Sequence, residues 1–310
     1  MAPIAGVTWR ENVPLRTLTR FGLGGPAQIV ADASTPEALM AALDAAQVAD
    51  IPYALIGGGS NLVASDEGFP GAVLRYTAAG VEIAGEEIRV EAGVVLQNLV
   101  DASVDAGLEG LHTMTGIPGW VGGAIYGNAG AYGHSIHEFI SSVRYFDGDG
   151  VRQIGNGECQ FRYRESIFKQ RKDWIILDAV LRLPKALDAS AIRTAADGIL
   201  MIRNEKYPPT MRCAGSIFKN LILAELTPEV QALVPPHVVR EGKVASAYFL
   251  EQVGAKGMFS GDIRVADYHA NLIYNTGAGT ATQVRHLIAI LKDRVSQHFG
   301  LVLEEEVQYL

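Results

Sequence analysis

Short apolar runs of strand length alternate along the chain with longer stretches of helical spacing, and glycine and proline separate them. Residues 27–31 form a first strand-like run. Thr35, Pro36 and Glu37 then open a helical pattern that continues through Ala46: a capping hydroxyl, a proline at the first helical position and an acid in the first turn. Residues 52–56 read as a buried strand that runs straight into three glycines. Further short strands are predicted at 72–76, 81–84 and 88–92, and a helix at 96–106 ended by Gly107. After a glycine-rich stretch at 115–133, strands are predicted at 143–146, 151–154 and 174–183. Asp147, Gly148, Asp149 and Gly150 form the turn between the first two. Residues 189–203 have helical spacing. Beyond Pro208 and Pro209 come a helix at 245–253, a strand at 272–274 and a final strand at 301–309. Between the last two lies a long amphipathic helix at 280–299, with Val284, Leu287, Ile288, Leu291 and Val295 on one stripe.

Composition narrows the class. A chain of 310 residues, 48% apolar and 19% charged, suits a folded protein with two domains of ordinary size. The boundary is expected near residues 184–188, giving domains 1–187 and 188–310. A formal charge of −8 argues against a nucleic-acid partner, whose binders usually carry a basic face. Cys159 and Cys213 are too few for a disulfide framework, and a reducing compartment fits. No stretch approaches the ~20 uninterrupted apolar residues of a membrane span. Residues 1–15 contain Arg10 and Glu11 and do not read as a secretory signal. The cytoplasm is the expected location, with no membrane and no obligate protein partner.

Two glycine loops carry the first chemical signal. Gly57, Gly58, Gly59, Ser60 and Asn61 follow a strand end and can turn successive N–H groups into one concavity for phosphate oxygens. The loop is neither a GxGxxG fingerprint nor a P-loop, and alone it is as well explained by a tight surface turn. Gly116, Ile117, Pro118, Gly119, Trp120, Val121, Gly122 and Gly123 form a second loop, continued by Asn128, Gly130 and Gly133. Its composition makes a poor regular element, yet it is apolar, so its N–H groups need partners inside the fold. A dinucleotide lying between two strand-rich lobes would satisfy both loops.

These segments resemble those of the UDP-N-acetylenolpyruvoylglucosamine reductase (UDP-N-acetylmuramate dehydrogenase) family. The resemblance runs in order through Phe21-Gly22-Leu23-Gly24-Gly25-Pro26-Ala27, both glycine loops, Tyr163-Arg164-Glu165-Ser166 and Ala214-Gly215-Ser216-Ile217-Phe218-Lys219-Asn220. It continues through Val253-Gly254-Ala255-Lys256-Gly257, His269-Ala270-Asn271 with Asn275, and Leu303-Glu304-Glu305-Glu306-Val307. It implies an α+β protein: a two-lobed FAD-binding domain of the vanillyl-alcohol-oxidase (PCMH) type, then a smaller α/β substrate-binding domain. Departures are Trp120 where a small residue is usual, Leu221 where proline is usual, and 221–242, which reads as an irregular surface insertion.

The resemblance also implies the reaction. NADPH reduces non-covalently bound FAD, flavin N5 delivers a hydride to the vinyl carbon of a UDP-sugar enolpyruvyl ether, and a proton goes to the neighbouring carbon. Arg164 suits the charge that develops there, because a guanidinium clamps a carboxylate bidentately and stays protonated. Ser216 is the implied proton donor. Glu306 is the implied partner of the enolpyruvyl carboxylate. Alternation in an extended strand would put Glu304 and Glu306 on one face and Glu305 on the other. Gly57, Gly58, Gly59, Ser60, Asn61, Gly116, Ile117, Pro118, Gly119, Gly122, Gly123 and Asn128 are expected to bind the cofactor. Tyr163, Lys206, Lys219, Asn220 and His269 are expected to bind the substrate. His134 and His137 lack a third ligand, so no metal is expected. Two rival readings are an FAD oxidase of the same fold, which often tethers its flavin to a His or Cys, and a non-catalytic nucleotide-binding protein. An oxidase would not require Ser216, Lys219 and Glu306 together, and a non-catalytic protein would be expected to lose Arg164, Ser216 or Glu306, all of which are present.

Overall fold

The computed structural model describes residues 3–310; Met1 and Ala2, where the 1–15 stretch read above begins, lie outside it. The chain packs as two compact units, each assembled from separate stretches. Of the described residues, the first comprises 3–12, 28–58 and 70–209, the second 13–27, 59–69 and 210–310. The division falls at 209/210 rather than near 184–188, so the helix Ala189–Lys206 packs with the first unit.

The first unit holds two sheets, the two strand-rich lobes expected. One has the order Val7–Pro14, Pro26–Ala33, Phe69–Tyr76, Tyr53–Leu55, with the last pair parallel. The other is antiparallel, ordered Val151–Gly155, Ile140–Phe146, Ile175–Arg182, Glu87–Glu91, Val81–Ala84. The helix Pro36–Val48 starts as its sequence dictates, with the Thr35 hydroxyl accepting the Ala38 N–H at 3.1 Å. It buries Leu39, Ala42 and Leu43. Tyr53–Leu55 is a correction: it is an edge strand whose Tyr53 and Leu55 side chains stay 43% and 40% exposed. An apolar run of that length has no periodicity to tell edge from centre. The central strand Ile175–Arg182 is buried on both faces and includes Asp178. The Arg144 Nε donates to that carboxylate at 2.6 Å, offsetting the cost of burying it.

The second unit is built on an antiparallel sheet ordered Arg212–Ser216, His269–Asn275, Ile263–Ala266, Phe259–Ser260. The helix Ala281–Phe299 lays Val284, Leu287, Ile288, Leu291 and Val295 into its core, the stripe read from the spacing. Its first turn is closed by a capping box between Thr280 and Gln283. The Asp66 carboxylate adds acceptors for the Ala281 and Thr282 N–H groups at 2.7 and 2.9 Å.

Two further expectations are corrected here. The final strand is only Gln308–Tyr309, paired in parallel with Leu62–Val63. Residues 301–306 form no regular strand and are tied through a single bridge, Glu305 to Phe218, and two flanking backbone hydrogen bonds, because their partner is the irregular segment after Ser216. Residues 221–242 are not an irregular excursion. They form a small sheet of Leu221–Ile222, Lys243–Val244 and Val239–Arg240 and a helix Pro228–Leu233, and they bury Val230 and Val234 in the core of the unit. Of the prolines that suggested irregularity, Pro228 starts the helix, where a helical turn at 229–233 was the expected alternative, and Pro235 and Pro236 precede and start the next turn.

Candidate active site

The first glycine loop spans both units by connectivity, with Gly57 and Gly58 in the first and Gly59, Ser60 and Asn61 in the second. Among the described residues, no protein acceptor takes the N–H groups of these five. Gly59 has φ +62° and lies so close to Leu18 that a Cβ would collide with the Leu18 carbonyl oxygen. Gly58 faces Trp120: a Cβ there would lie 3.0 Å from the indole Cδ1 and 3.2 Å from Gly119 Cα. The Arg75 guanidinium stacks on the same indole at 4.8 Å from the ring centroid, and its Nε lies 3.5 Å from the Asp32 carboxylate. Burial lowers the Arg75 pKa while Asp32 opposes that shift. Trp120, the departure seen in the sequence, is thus the wall against which the first loop packs.

The second loop is not wholly irregular. Its middle is a short helix, Val121–Tyr126, which corrects the expectation of a loop throughout. Glycine's low helix propensity is outweighed because the segment is pinned at its start. The Val121 and Gly122 N–H groups donate to the Val94 and Ala92 carbonyls at 2.8 Å each, and Gly119 accepts from Leu96 at 2.9 Å. Gly116 donates to the Gln97 side chain at 2.7 Å, and the Ile117 N–H donates to the Met114 carbonyl at 3.0 Å, ahead of Pro118. The space around Gly123 is open. Arg203 flanks Gly116, close enough that a Cβ on Gly116 would lie 3.1 Å from its Nε. This cation beside the loop was not among the expected site residues. Lys206, at the end of the same helix, stands 5.1 Å from the centroid of the Tyr207 ring.

Asn128 was expected to contact the cofactor. It is buried at φ +43°, and its amide is committed to protein: Nδ2 donates to the Arg162 carbonyl at 2.8 Å and Oδ1 accepts the His137 N–H at 3.4 Å. It thereby braces the turn that carries Tyr163 and Arg164, whose ends Arg162 and Glu165 exchange two backbone hydrogen bonds at 3.1 Å. Arg164 sits at φ +57°, donates from Nη2 to the Gly130 carbonyl at 3.0 Å and stacks 5.1 Å from the Tyr163 ring centroid. Lys169 pairs with Glu165 at 3.0 Å and donates to the Arg164 carbonyl at 2.9 Å.

In the second unit, Ser216 ends its strand after a bulge at Gly215, which has φ +75°. The residues after it are clamped. Asn271 accepts the Phe218 N–H at 2.9 Å and donates to the Phe218 carbonyl at 2.8 Å, and the Ser246 hydroxyl donates to the Lys219 carbonyl at 2.5 Å. Ser246 is a brace that the sequence did not single out, and Asn271 stood there only as a motif position without a role, because their partners are distant in the chain. Against this segment run the three glutamates. Lys219 N–H donates to the Glu304 carbonyl at 2.9 Å, Phe218 bridges Glu305, and Glu306 N–H donates to the Ile217 carbonyl at 2.7 Å. The side chains separate: Glu304 pairs with the Lys219 ammonium, Glu305 with Lys292 at 2.7 Å and with the Tyr309 hydroxyl. Lys219, expected to meet substrate, is 7% exposed in that ion pair. Asn220 is exposed, and His269 is half-buried at the start of its strand. Ser216 and Glu306 are therefore brought onto neighbouring segments of one unit, whereas Arg164 is held in the other.

The FAD-binding-domain family model matches residues 27–154, and the model of the UDP-N-acetylenolpyruvoylglucosamine reductase C-terminal domain matches 207–310. A UDP-N-acetylenolpyruvoylglucosamine reductase of Solibacter usitatus is 54% identical over 310 residues, covering 100% of this chain and 99% of its own. The chain belongs to this reductase family. The Bacillus subtilis reductase is 30% identical over 302 residues, covering 96% of this chain and 93% of its own. The crystal structure of the Thermus caldophilus UDP-N-acetylenolpyruvylglucosamine reductase superposes with a TM-score of 0.75 at 29% identity, covering 98% of each chain. The resemblance drawn from the motifs holds, as does the expected fold class. The reductase site also fits its flavin on internal grounds: five successive loop amides have no protein acceptor, and the Asn61 Oδ1 is buried without a donor. Among the described residues no helix is long and apolar enough to cross a membrane.

Proposed function

We propose that this chain reduces UDP-N-acetylenolpyruvoylglucosamine to UDP-N-acetylmuramate in the cytoplasm, with Ser216, Arg164 and Glu306 as its catalytic residues. Bound FAD supplies a hydride, taken from NADPH, to the vinyl carbon of the enolpyruvyl ether. The loop at 57–61 holds the cofactor through backbone N–H groups, the segment 116–123 lines it around the open space at Gly123, and Trp120 and Arg75 stiffen the first loop. The neighbouring carbon, next to the carboxylate, gains negative charge and must receive a proton. The Ser216 hydroxyl donates it: a weak acid suffices because an enolate carbon is strongly basic. Arg164 holds the substrate carboxylate bidentately and stabilises the charge delocalised onto it. Glu306 orients the same end of the substrate. Tyr163, Lys206, Asn220 and His269 contribute to binding the UDP-sugar, and Lys219 acts at one remove by fixing Glu304.

The observation that carries this reading is the double anchoring around Ser216. The irregularity before it, with Gly215 at φ +75°, re-aims Ser216 where it rejoins the sheet opposite Leu272, and the next residue takes the Glu306 N–H at 2.7 Å. A turn serine would not need that registration. The test is Ser216→Ala in anaerobic stopped flow. Flavin reduction by NADPH should run at the wild-type rate, while reoxidation by the enolpyruvyl substrate should slow by the ~10²–10⁴-fold expected of a positioned acid. Equal loss in both halves, or in neither, would remove Ser216 from the proton path.

A further inference from the structure

Asn61 closes the first glycine loop, and its side chain reaches a residue 245 positions away in sequence. Its Nδ2 donates to the Glu306 carbonyl at 2.8 Å, and its own backbone carbonyl accepts the Gln308 N–H at 2.9 Å. The strand Leu62–Val63 then continues as the parallel partner of Gln308–Tyr309. Glu306 is thus held at both backbone polar groups. Its N–H goes to the carbonyl of Ile217, next to Ser216, and its carbonyl goes to Asn61.

The orientation of the Asn61 amide follows from chemistry. A backbone carbonyl only accepts, so the amide nitrogen must face Glu306 and Oδ1 must face the other way. That Oδ1 is buried and has no donor among the described residues. A buried acceptor left so costs at least as much as a lost hydrogen bond, and folded proteins seldom leave one. FAD carries donors suited to it: the ribityl and ribose hydroxyls, the adenine amino group and the ring N–H of the isoalloxazine.

We propose that Asn61 is a two-sided positioning residue, in which Oδ1 accepts a hydrogen bond from bound FAD and Nδ2 fixes Glu306, so that cofactor occupancy and the placement of Glu306 are coupled. The coupling is reciprocal: FAD orders the Glu306 segment, and an ordered Glu306 segment tightens FAD. Both partners of the protein-side bond lie in one unit, so the coupling needs no domain motion. It deepens the proposed function, resting on that reading only for its consequence in turnover.

Amide hydrogen exchange over residues 301–310 tests it, comparing holoprotein with flavin-depleted protein. In the wild type, FAD should slow exchange at Glu306 and Gln308 at least ~10-fold. Asn61→Asp keeps an acceptor for FAD but has no proton to give Glu306. It should bind FAD, and its FAD-dependent protection of those two amides should fall below ~2-fold. Asn61→Ala should show the same loss with weaker FAD binding. Full protection retained in Asn61→Asp overturns the proposal, and so does a wild type whose exchange ignores FAD. Stopped flow separates this from the reading of Glu306. If Asn61→Asp loses the protection yet reoxidises its flavin at the wild-type rate, the coupling stands and the catalytic role of Glu306 falls.

Discussion

Arg164 occupies a backbone conformation that non-glycine residues seldom adopt, at φ +57°. Left-handed geometry costs an L-residue roughly 1–2 kcal/mol. Here it is enforced by the paired ends of the turn, by Asn128 beneath it and by the Nη2 bond to Gly130. Strain held in this way directs one planar fork, which a primary ammonium cannot imitate. Arg164→Lys should therefore cut kcat by at least ~10-fold, about 1.4 kcal/mol of barrier, with little change in FAD content. A turnover within twofold of the wild type would remove Arg164 from the site. Glu305 belongs to the same scale but serves stability. Burial alone would raise its pKa, yet the hydrogen bonds from Lys292 and Tyr309 outweigh it and hold the carboxylate below its ordinary value. A depressed carboxylate contributes stability that is full above its unfolded pKa and lost as pH falls through the folded one. The melting temperature should then drop on acidification below about pH 4.5, the ordinary glutamate value. Glu305→Gln should be less stable than the wild type at pH 7 and show a shallower acid limb. Parallel acid limbs in calorimetry would refute the assignment.

At the level of the element, the first glycine loop and Trp120 interlock. Alanine at position 58 would put a methyl 3.0 Å from the indole and 3.2 Å from Gly119 Cα. Overpacking of that kind costs about 1–3 kcal/mol, or about 5- to 150-fold in an equilibrium. Gly58→Ala should weaken FAD binding within that range, and Trp120→Ala in the same chain should restore part of it, since the Gly119 backbone remains. Additive losses in a titration of flavin-depleted protein would show that the two residues do not interlock. The glycines themselves were legible in the sequence, as were the helices with strong caps and stripes, Pro36–Val48 and Ala281–Phe299. What escaped was set by partners far away in the chain. Residues 301–306 have strand-like composition, but the irregular segment they meet allows only one bridge. The helix Val121–Tyr126 forms against glycine's propensity because residues 92–96 hold its first turn. Asn128 and Asn271 looked like ligand contacts or motif positions, and both brace the segments that carry the proposed catalytic residues.

At the scale of the molecule, each unit has its own core, and that of the second is not made by contiguous chain. Phe21, Leu23 and Val63 are buried among the residues of 210–310, and Leu62–Val63 supplies the partner of Gln308–Tyr309. Asp66 completes the start of the helix Ala281–Phe299. A fragment of residues 210–310 would lack three core side chains, a strand and a cap. Large core truncations each cost about 2–5 kcal/mol, against a total domain stability of about 5–15 kcal/mol. The fragment should therefore fail to fold alone, showing no near-ultraviolet circular dichroism and no cooperative melt. Restoring 13–27 and 59–69 through linkers should recover both signals. A cooperative melt from 210–310 by itself would show that the C-terminal half is autonomous.

Three consecutive glutamates, 304 to 306, are one letter repeated, yet each has its own partner: an ammonium, a lysine with a phenol, and an asparagine across the chain. Loss of a single codon from that run would hardly alter the protein on paper, since two glutamates would still precede Val307. In space it would move every upstream residue forward by one. Leu303, now buried, would be carried to the exposed place opposite Lys219, and the ion pair between Glu304 and Lys219 would be lost. The repeat conceals a reading frame in three dimensions, and an in-frame deletion that looks silent would break it.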